Sequence, residues 1–178
     1  MYQVGDKVVY PHHGAGTVVK KEKREVLGEQ REYLTIQILH NDMTVQVPSE
    51  NCEKVGLRRV IGDKEIAPVV KALTGISTEM PKNWNRRFKH NRDKMKTGDI
   101  LELAEVVRNL ALRDHDKGLS TGEKQMYVKA KKILASELMY AKAMSEDEAA
   151  VWLDEVLAKP AVKKAAKTTK AKAAAATV

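Results

Sequence analysis

The chain has 178 residues, room for one domain or two small ones, and is 43% hydrophobic but only 4% aromatic, so aliphatic helices are expected to supply most of the interior. Lys and Arg number 32 against 24 Asp and Glu, a net charge of +8, and the single cysteine, Cys52, excludes an intrachain disulfide and argues against a cysteine-built metal site. No apolar run approaches the roughly 20 residues that span a bilayer, and the opening MYQVGDKVVY lacks the apolar core of a secretory signal, so a cytoplasmic protein is expected.

The first 60 residues read as short strands. KVVY (7–10) and GTVV (16–19) flank PHHGAG, whose Pro and Gly mark a turn. EYLTIQIL (32–39) sets Leu34, Ile36 and Ile38 against Tyr33, Thr35 and Gln37. MTVQV (43–47) sets Met43, Val45 and Val47 against Thr44 and Gln46. Period-two alternation gives each strand one buried and one wet face. The intervening HND suits a tight hairpin, and Gly28 marks another turn. Four or five strands in this length predict a small twisted barrel of SH3 or Tudor type.

From about Asp63 the period changes to that of a helix. DKEIAPVVKAL predicts a short helix in which Pro68 fits the first turn or makes a kink. Over 99–117, Asp99 stands as N-cap and Ile100, Leu103, Ala104, Val107, Leu110 and Ala111 form one stripe, ended by Gly118. Ser120 with Glu123 makes a second capping signature, ahead of Tyr127, Ala130, Leu134, Leu138 and Ala141. Ser145 with Glu148 opens a last helix carrying Ala149, Trp152, Leu153 and Val156, which Pro160 stops. The expected fold is therefore α+β with two domains: a strand-built unit over 1–60 and a compact helical unit over 61–158. The remaining 159–178, rich in Lys, Ala and Thr, form a tail expected to be disordered.

The positive charge is uneven. The tail holds six Lys and no acid, residues 1–70 balance at ten against ten, and 97–158 hold eight basic and twelve acidic residues. The excess outside the tail lies in PKNWNRRFKHNRDKMKTG (81–98), which also contains Trp84, one of two tryptophans. If 82–96 is helical, Trp84, Phe88 and Met95 share one side. The plainer reading is a core stripe with a solvated basic back. The sharper one notes that Trp84 starts the helix and that Arg86, Arg87 and Lys89 surround it. A flat apolar ring among cations suits duplex DNA, where cations hold phosphates and the ring wedges into a base step. Seven phosphate contacts at most would give a log–log salt slope of about −6.

Catalysis finds no support: no phosphate loop, dinucleotide fingerprint or nucleophile elbow occurs. His12 and His13 are adjacent and lack a third ligand, and Asp114, His115 and Asp116 cluster near a helix end. No cofactor, metal or small-molecule ligand is expected. The charge-balanced strand unit is a poor DNA binder and a better protein-docking surface, with Arg24 near the Gly28 turn and Thr44 and Gln46 on its wet face. A nucleoid-associated DNA binder acting through the basic helix and tail, and an RNA-binding barrel protein, remain alternatives at this point.

Six ordered blocks, VGDKVVYPHHGAGTV, GEQREYLTIQI, MTVQVPSEN, VGLRRVIG, NWNRRFKHN and LSTGEKQMYVKAKKIL, resemble the CarD/CdnL family of bacterial transcription regulators across residues 1–157. The resemblance implies a Tudor-like first domain that binds the β subunit of RNA polymerase, like the polymerase-interacting module of transcription-repair coupling factors. It implies a helical domain that meets promoter DNA at the upstream edge of the −10 bubble, where a tryptophan enters the minor groove and slows bubble collapse. The matching residues are Trp84 as wedge, Arg86, Arg87 and Lys89 as phosphate contacts, and Lys124 as a further member of the patch. On the polymerase side Arg24 matches, with Thr44 beside it, whereas Gln46 stands where the family pattern has Arg. A nucleoid location follows from the same resemblance.

Overall fold

A computed structural model describes residues 1–159; Pro160 and the tail, with the disorder expected there, lie outside the described residues. The α+β order read from the sequence is what the structure shows. Five strands, β1 (Lys7–Tyr10), β2 (Gly14–Val26), β3 (Glu29–Ile38), β4 (Thr44–Pro48) and β5 (Arg58–Arg59), form one antiparallel sheet in the order β4-β3-β2-β1-β5. Leu34, Ile36 and Ile38 of β3 are at most 1% exposed and pack with Val8, Val18, Val47, Cys52 and Leu57. Thr35, expected on the wet face, is covered too, flanked across the strands by Lys20 and Gln46.

The strand β2 runs seven residues past the apolar segment that announced it. Its outer half, KKEKREV, is half-buried or exposed throughout, so neither face carries the alternation that marks a strand. The pairing with β3 nevertheless continues to Val26 opposite Glu29. Leu27 and Gly28 close this hairpin with φ of 52° and 80°, the pair of positive angles that a two-residue turn matching strand twist needs.

Five helices follow: α1 (Asp63–Leu73), α2 (Trp84–Lys96), α3 (Ile100–Lys117), α4 (Thr121–Ala141) and α5 (Glu146–Ala158). Pro68 lies past the first turn of α1, so the Lys64 carbonyl has no helical donor; both residues are exposed, where water can serve it. Asp99 caps α3 by accepting from the Leu101 and Glu102 amides. Ser120 and Ser145 form reciprocal capping boxes with Glu123 and Glu148 at the starts of α4 and α5. The stripes of α3, α4 and α5 meet in a second core, where Ala104, Val107, Leu110, Leu134, Leu138 and Leu153 are fully buried. Ala111, Tyr127, Ala141 and Trp152 sit at its half-buried margin.

Polar contacts lock the sheet to α4. Glu137, with no exposed surface, takes a two-pronged ion pair from Arg58 of β5, with Nη2 2.7 Å from Oε2, and accepts from the Ile61 amide at 3.0 Å. Arg58 also donates to the Gly98 carbonyl. The buried Ser136 hydroxyl accepts from the Ala15 amide at 2.8 Å. Gly14 allows this approach: it has φ of 94°, and a β-carbon there would stand 2.7 Å from the Ser136 hydroxyl. Tyr140 bonds Thr17 and lies under the Lys7 ammonium, and His40 faces both Glu146 and the Lys132 carbonyl.

Candidate nucleic-acid interface

The segment between α1 and α2 is tied down before it delivers Trp84. The Asn109 side chain of α3 accepts from the Thr78 amide at 3.2 Å and donates to the Thr78 hydroxyl at 2.7 Å. Arg108, 7% exposed, donates to the Ala72 carbonyl. Asn83 then caps α2, its side chain accepting from the Arg86 amide. Trp84 is consequently the first helical residue, and side chains there lean back past the helix end.

Trp84 is 43% exposed and held in place. Its indole Nε1–H donates to the Ser120 hydroxyl, the cap of α4, at 2.8 Å. One ring face stacks on Phe88, with centroids 5.3 Å apart and an interplanar angle of 23°. The first turn of α4 closes in behind: a β-carbon on Gly122 would lie 3.4 Å from Phe88 and 3.5 Å from Trp84. Phe88 and Met95 pack against the helical core as half-buried residues. Thus the stripe reading and the exposed-ring reading each hold for part of the helix.

Arg87 requires a correction. Expected among the phosphate contacts, it is 4% exposed and turned inward. Its Nε donates to Glu123 Oε1 at 2.6 Å, and its Nη1 to the Pro81 and Lys82 carbonyls at 3.3 and 2.9 Å. Glu123 is 1% exposed and also accepts from the amide and hydroxyl of Ser120. Burial pushes the Glu123 carboxyl up, but the Arg87 and Ser120 hydrogen bonds outweigh it and leave its pKa below the ordinary carboxylate value. A continuous chain therefore runs Arg87–Glu123–Ser120–Trp84. The guanidinium supports the ring from below and does not stand beside it in solvent.

The remaining cations of the patch are available. Arg86, Lys89 and Lys124 are exposed, and no ion pair forms to them, or to Lys82, Arg92 and Lys96, among the described residues. Most sheet cations are paired. Lys20 and Arg24 flank Glu22 and hold its carboxyl below its ordinary value, chiefly through the Lys20 hydrogen bond; Lys21 meets Glu32, and Arg31 meets Glu29 and Glu50. Arg24 also donates to Gln46 Oε1 at 3.0 Å, so two of the expected docking residues touch. Thr44 is exposed on the same strand as Gln46, opposite Gln37.

A profile described as CarD, C-terminal domain, matches residues 68–154, and one described as CarD-like/TRCF RID domain matches residues 2–61. The chain belongs to the CarD family. The candidate transcription factor YdeB of Bacillus subtilis (strain 168) is 35% identical over 148 residues, which are 83% of this chain and 97% of YdeB. The solution NMR structure of the 72-residue N-terminal domain of Myxococcus xanthus CarD aligns with 33% of this chain and 79% of that one, at 30% identity and a TM-score of 0.30. The CarD family is one of transcription regulators. Among the described residues, no helix is long and apolar enough to cross a membrane.

Proposed function

We propose that this transcription regulator docks on the RNA polymerase β subunit through the sheet face bearing Arg24, Thr44 and Gln46. From there it lays Trp84 against promoter DNA at the upstream edge of the −10 bubble. Arg86, Lys89 and Lys124 hold phosphates around the ring, and Arg87 supports the ring through Glu123 and Ser120. The observation that carries this reading is a half-exposed tryptophan, pinned by its own hydrogen bond, together with exposed cations that form no ion pair among the described residues. A large apolar ring left 43% exposed gains only part of what burial offers; fixing it beside cations that are unpaired among the described residues suits a partner that is both charged and stacked.

The energetics favour a bubble edge over intact duplex. Unstacking a base step costs a few kcal/mol, which intact duplex sets against the stacking gain of the ring. At a step already opened by polymerase that cost is absent, and a stacked aromatic ring stabilises by about 1–3 kcal/mol. Collapse of the bubble should slow by about 5–150-fold, the rate equivalent of that energy. Base-specific contacts are unnecessary, because tethering to polymerase raises the local concentration at the edge.

The test is the lifetime of open complexes of the cognate polymerase after competitor challenge, with the wild-type chain and with Trp84→Ala. The reading expects a longer lifetime that Trp84→Ala fails to give, while Arg24→Ala needs a higher protein concentration for the same effect. Equal lifetimes with both proteins would return Trp84 to a packing role.

A further inference from the structure

The patch around Trp84 does not end at α2. Behind it, between the sheet and α4, lies a cleft of 560 Å³ lined by His12, His13, His40, Lys124, Lys129 and Lys132. A second cleft of 290 Å³ adjoins it, sharing His12, Gln125 and Lys129, and is walled by Arg92, Lys96 and Phe88. The shared residues join the two clefts into one groove between the sheet and the helices, and the second cleft reaches Phe88, the ring on which Trp84 stacks.

The chemistry of this groove is one-sided. Five cations line it (Arg92, Lys96, Lys124, Lys129 and Lys132), no carboxylate does, and none of the five is ion-paired among the described residues. The next lysine on α4, Lys131, lies outside the groove and pairs with Asp154 at 2.5 Å. From the sheet side, burial and then the Lys129 ammonium hold the imidazoles of His12 and His13 below their ordinary pKa, so they face the groove as neutral rings. Met95, Met126, Val128 and Ile133 add apolar surface to the lining. Cations interleaved with apolar side chains match a sugar–phosphate backbone, whose phosphates are charged and whose sugars are not. Lys124 and Lys132 stand eight residues apart on α4, about 12 Å of helix, the axial rise of roughly three to four phosphates along one DNA strand.

We propose that this groove seats the phosphate backbone of duplex DNA, extending the Trp84 contact across the junction between helices and sheet through Arg92, Lys96, Lys129 and Lys132. The inference rests on the DNA-facing reading of Trp84 and lengthens it. Its consequence is that the sheet half lines the DNA path with His12 and His13 as well as facing polymerase. The groove is long and open at both clefts, which favours a polymer strand over a compact anion.

The experiment is the salt dependence of binding of the full chain to a linear duplex, without polymerase. Each phosphate contact adds about 0.9 to the log–log slope, worth about eightfold in affinity at 0.1 M salt. The Lys129→Ala/Lys132→Ala double variant should lose about 1.8 from the slope and about 60-fold in affinity at that salt. Arg92→Ala/Lys96→Ala should lose as much, and Lys131→Ala, whose charge is already compensated, less than 0.5 of a unit. All are surface changes, and unchanged melting temperatures would confirm intact folds. Arg86→Ala/Lys89→Ala separates the two claims. If that pair lowers the slope and the groove pairs do not, the groove inference fails and the Trp84 reading stands. If only the groove pairs lower it, the groove stands and the patch around Trp84 fails. Loss equal to that of Lys131→Ala in the groove variants overturns the proposal, as would displacement of the duplex by tripolyphosphate at concentrations where matched chloride has no effect, which would mark a compact-anion pocket.

Discussion

Arg87 offers the clearest separation between what spacing implies and what the fold does with the residue. As a solvent-facing phosphate contact, its loss would take about 0.9 from the salt slope of DNA binding and leave stability within about 0.5 kcal/mol. In the structure, Arg87→Met instead strips the Glu123 carboxylate, 1% exposed, of its near cation; Arg113 remains at 3.7 Å, too far for a hydrogen bond. Leaving one member of a buried pair without the other costs about 3–5 kcal/mol. For a chain of this size that corresponds to a fall of roughly 6–20 °C in melting temperature, a large part of the usual 5–15 kcal/mol. Replacing both partners, in Arg87→Met/Glu123→Met, removes the stranded charge and should recover much of the loss. Thermal melts followed by circular dichroism give the stability, and duplex titrations below the lowered melting temperature give the slope. If Arg87→Met melts within 2 °C of wild type and loses about one unit of slope, the buried arrangement is refuted.

Two further outcomes follow from the same chain of contacts. Ser120→Ala removes both the cap of α4 and the acceptor of the Trp84 indole; the cap alone is worth about 1 kcal/mol, and Trp84 should gain freedom, seen as lower fluorescence anisotropy in a Trp152→Phe background. Its open-complex lifetime should fall between wild type and Trp84→Ala, and a lifetime equal to wild type would show that the hydrogen bond does not position the ring. Acid should act through Glu123, whose folded-state pKa lies below its ordinary value of 4.5. Its contribution is therefore fully present above about 4.5 and is lost as pH falls through the lower folded value. Melting temperature plotted against pH should drop along that limb, and Glu123→Gln should flatten it; an unchanged limb would place the acid sensitivity elsewhere.

Much of this architecture is legible in the chain because local chemistry specifies it. The α1 bounds, the three helix caps at Asp99, Ser120 and Ser145, and the buried Leu34–Ile36–Ile38 face each follow from a few neighbouring residues. The outer half of β2 was not legible, since a hairpin wet on both faces has no alternation to read. At the site, Trp84 opens its helix, and Arg86, Lys89 and Lys124 face solvent. Arg87 does not, although spacing offered a hint: Trp84, Arg87, Phe88, Asn91 and Met95 fall at the intervals of one inward stripe, and Arg87 and Asn91 are both buried. Charge argued against burial, and the partner that permits it lies 36 residues away on α4. Glu123 itself was visible as half of a capping box, but its second bond, to Arg87, needs the tertiary fold. The Trp84–Ser120 bond and the groove behind it are likewise products of α2, α4 and the sheet meeting in space.

The Glu137 lock between β5 and α4 gives the molecule the property of a gauge. With Arg58, the Ile61 amide and the Ser136–Ala15 bond all closed, the distance from the Arg24 face to the Trp84 ring is set by the protein and not by its partner. With the sheet docked on polymerase as proposed, a regulator built this way selects its target by position: the ring falls a fixed span away, whatever bases lie there. Lengthening the Arg59–Gly62 connection would leave both faces chemically intact and move that landing point, so the same docking and the same tryptophan would act on a different step of the DNA.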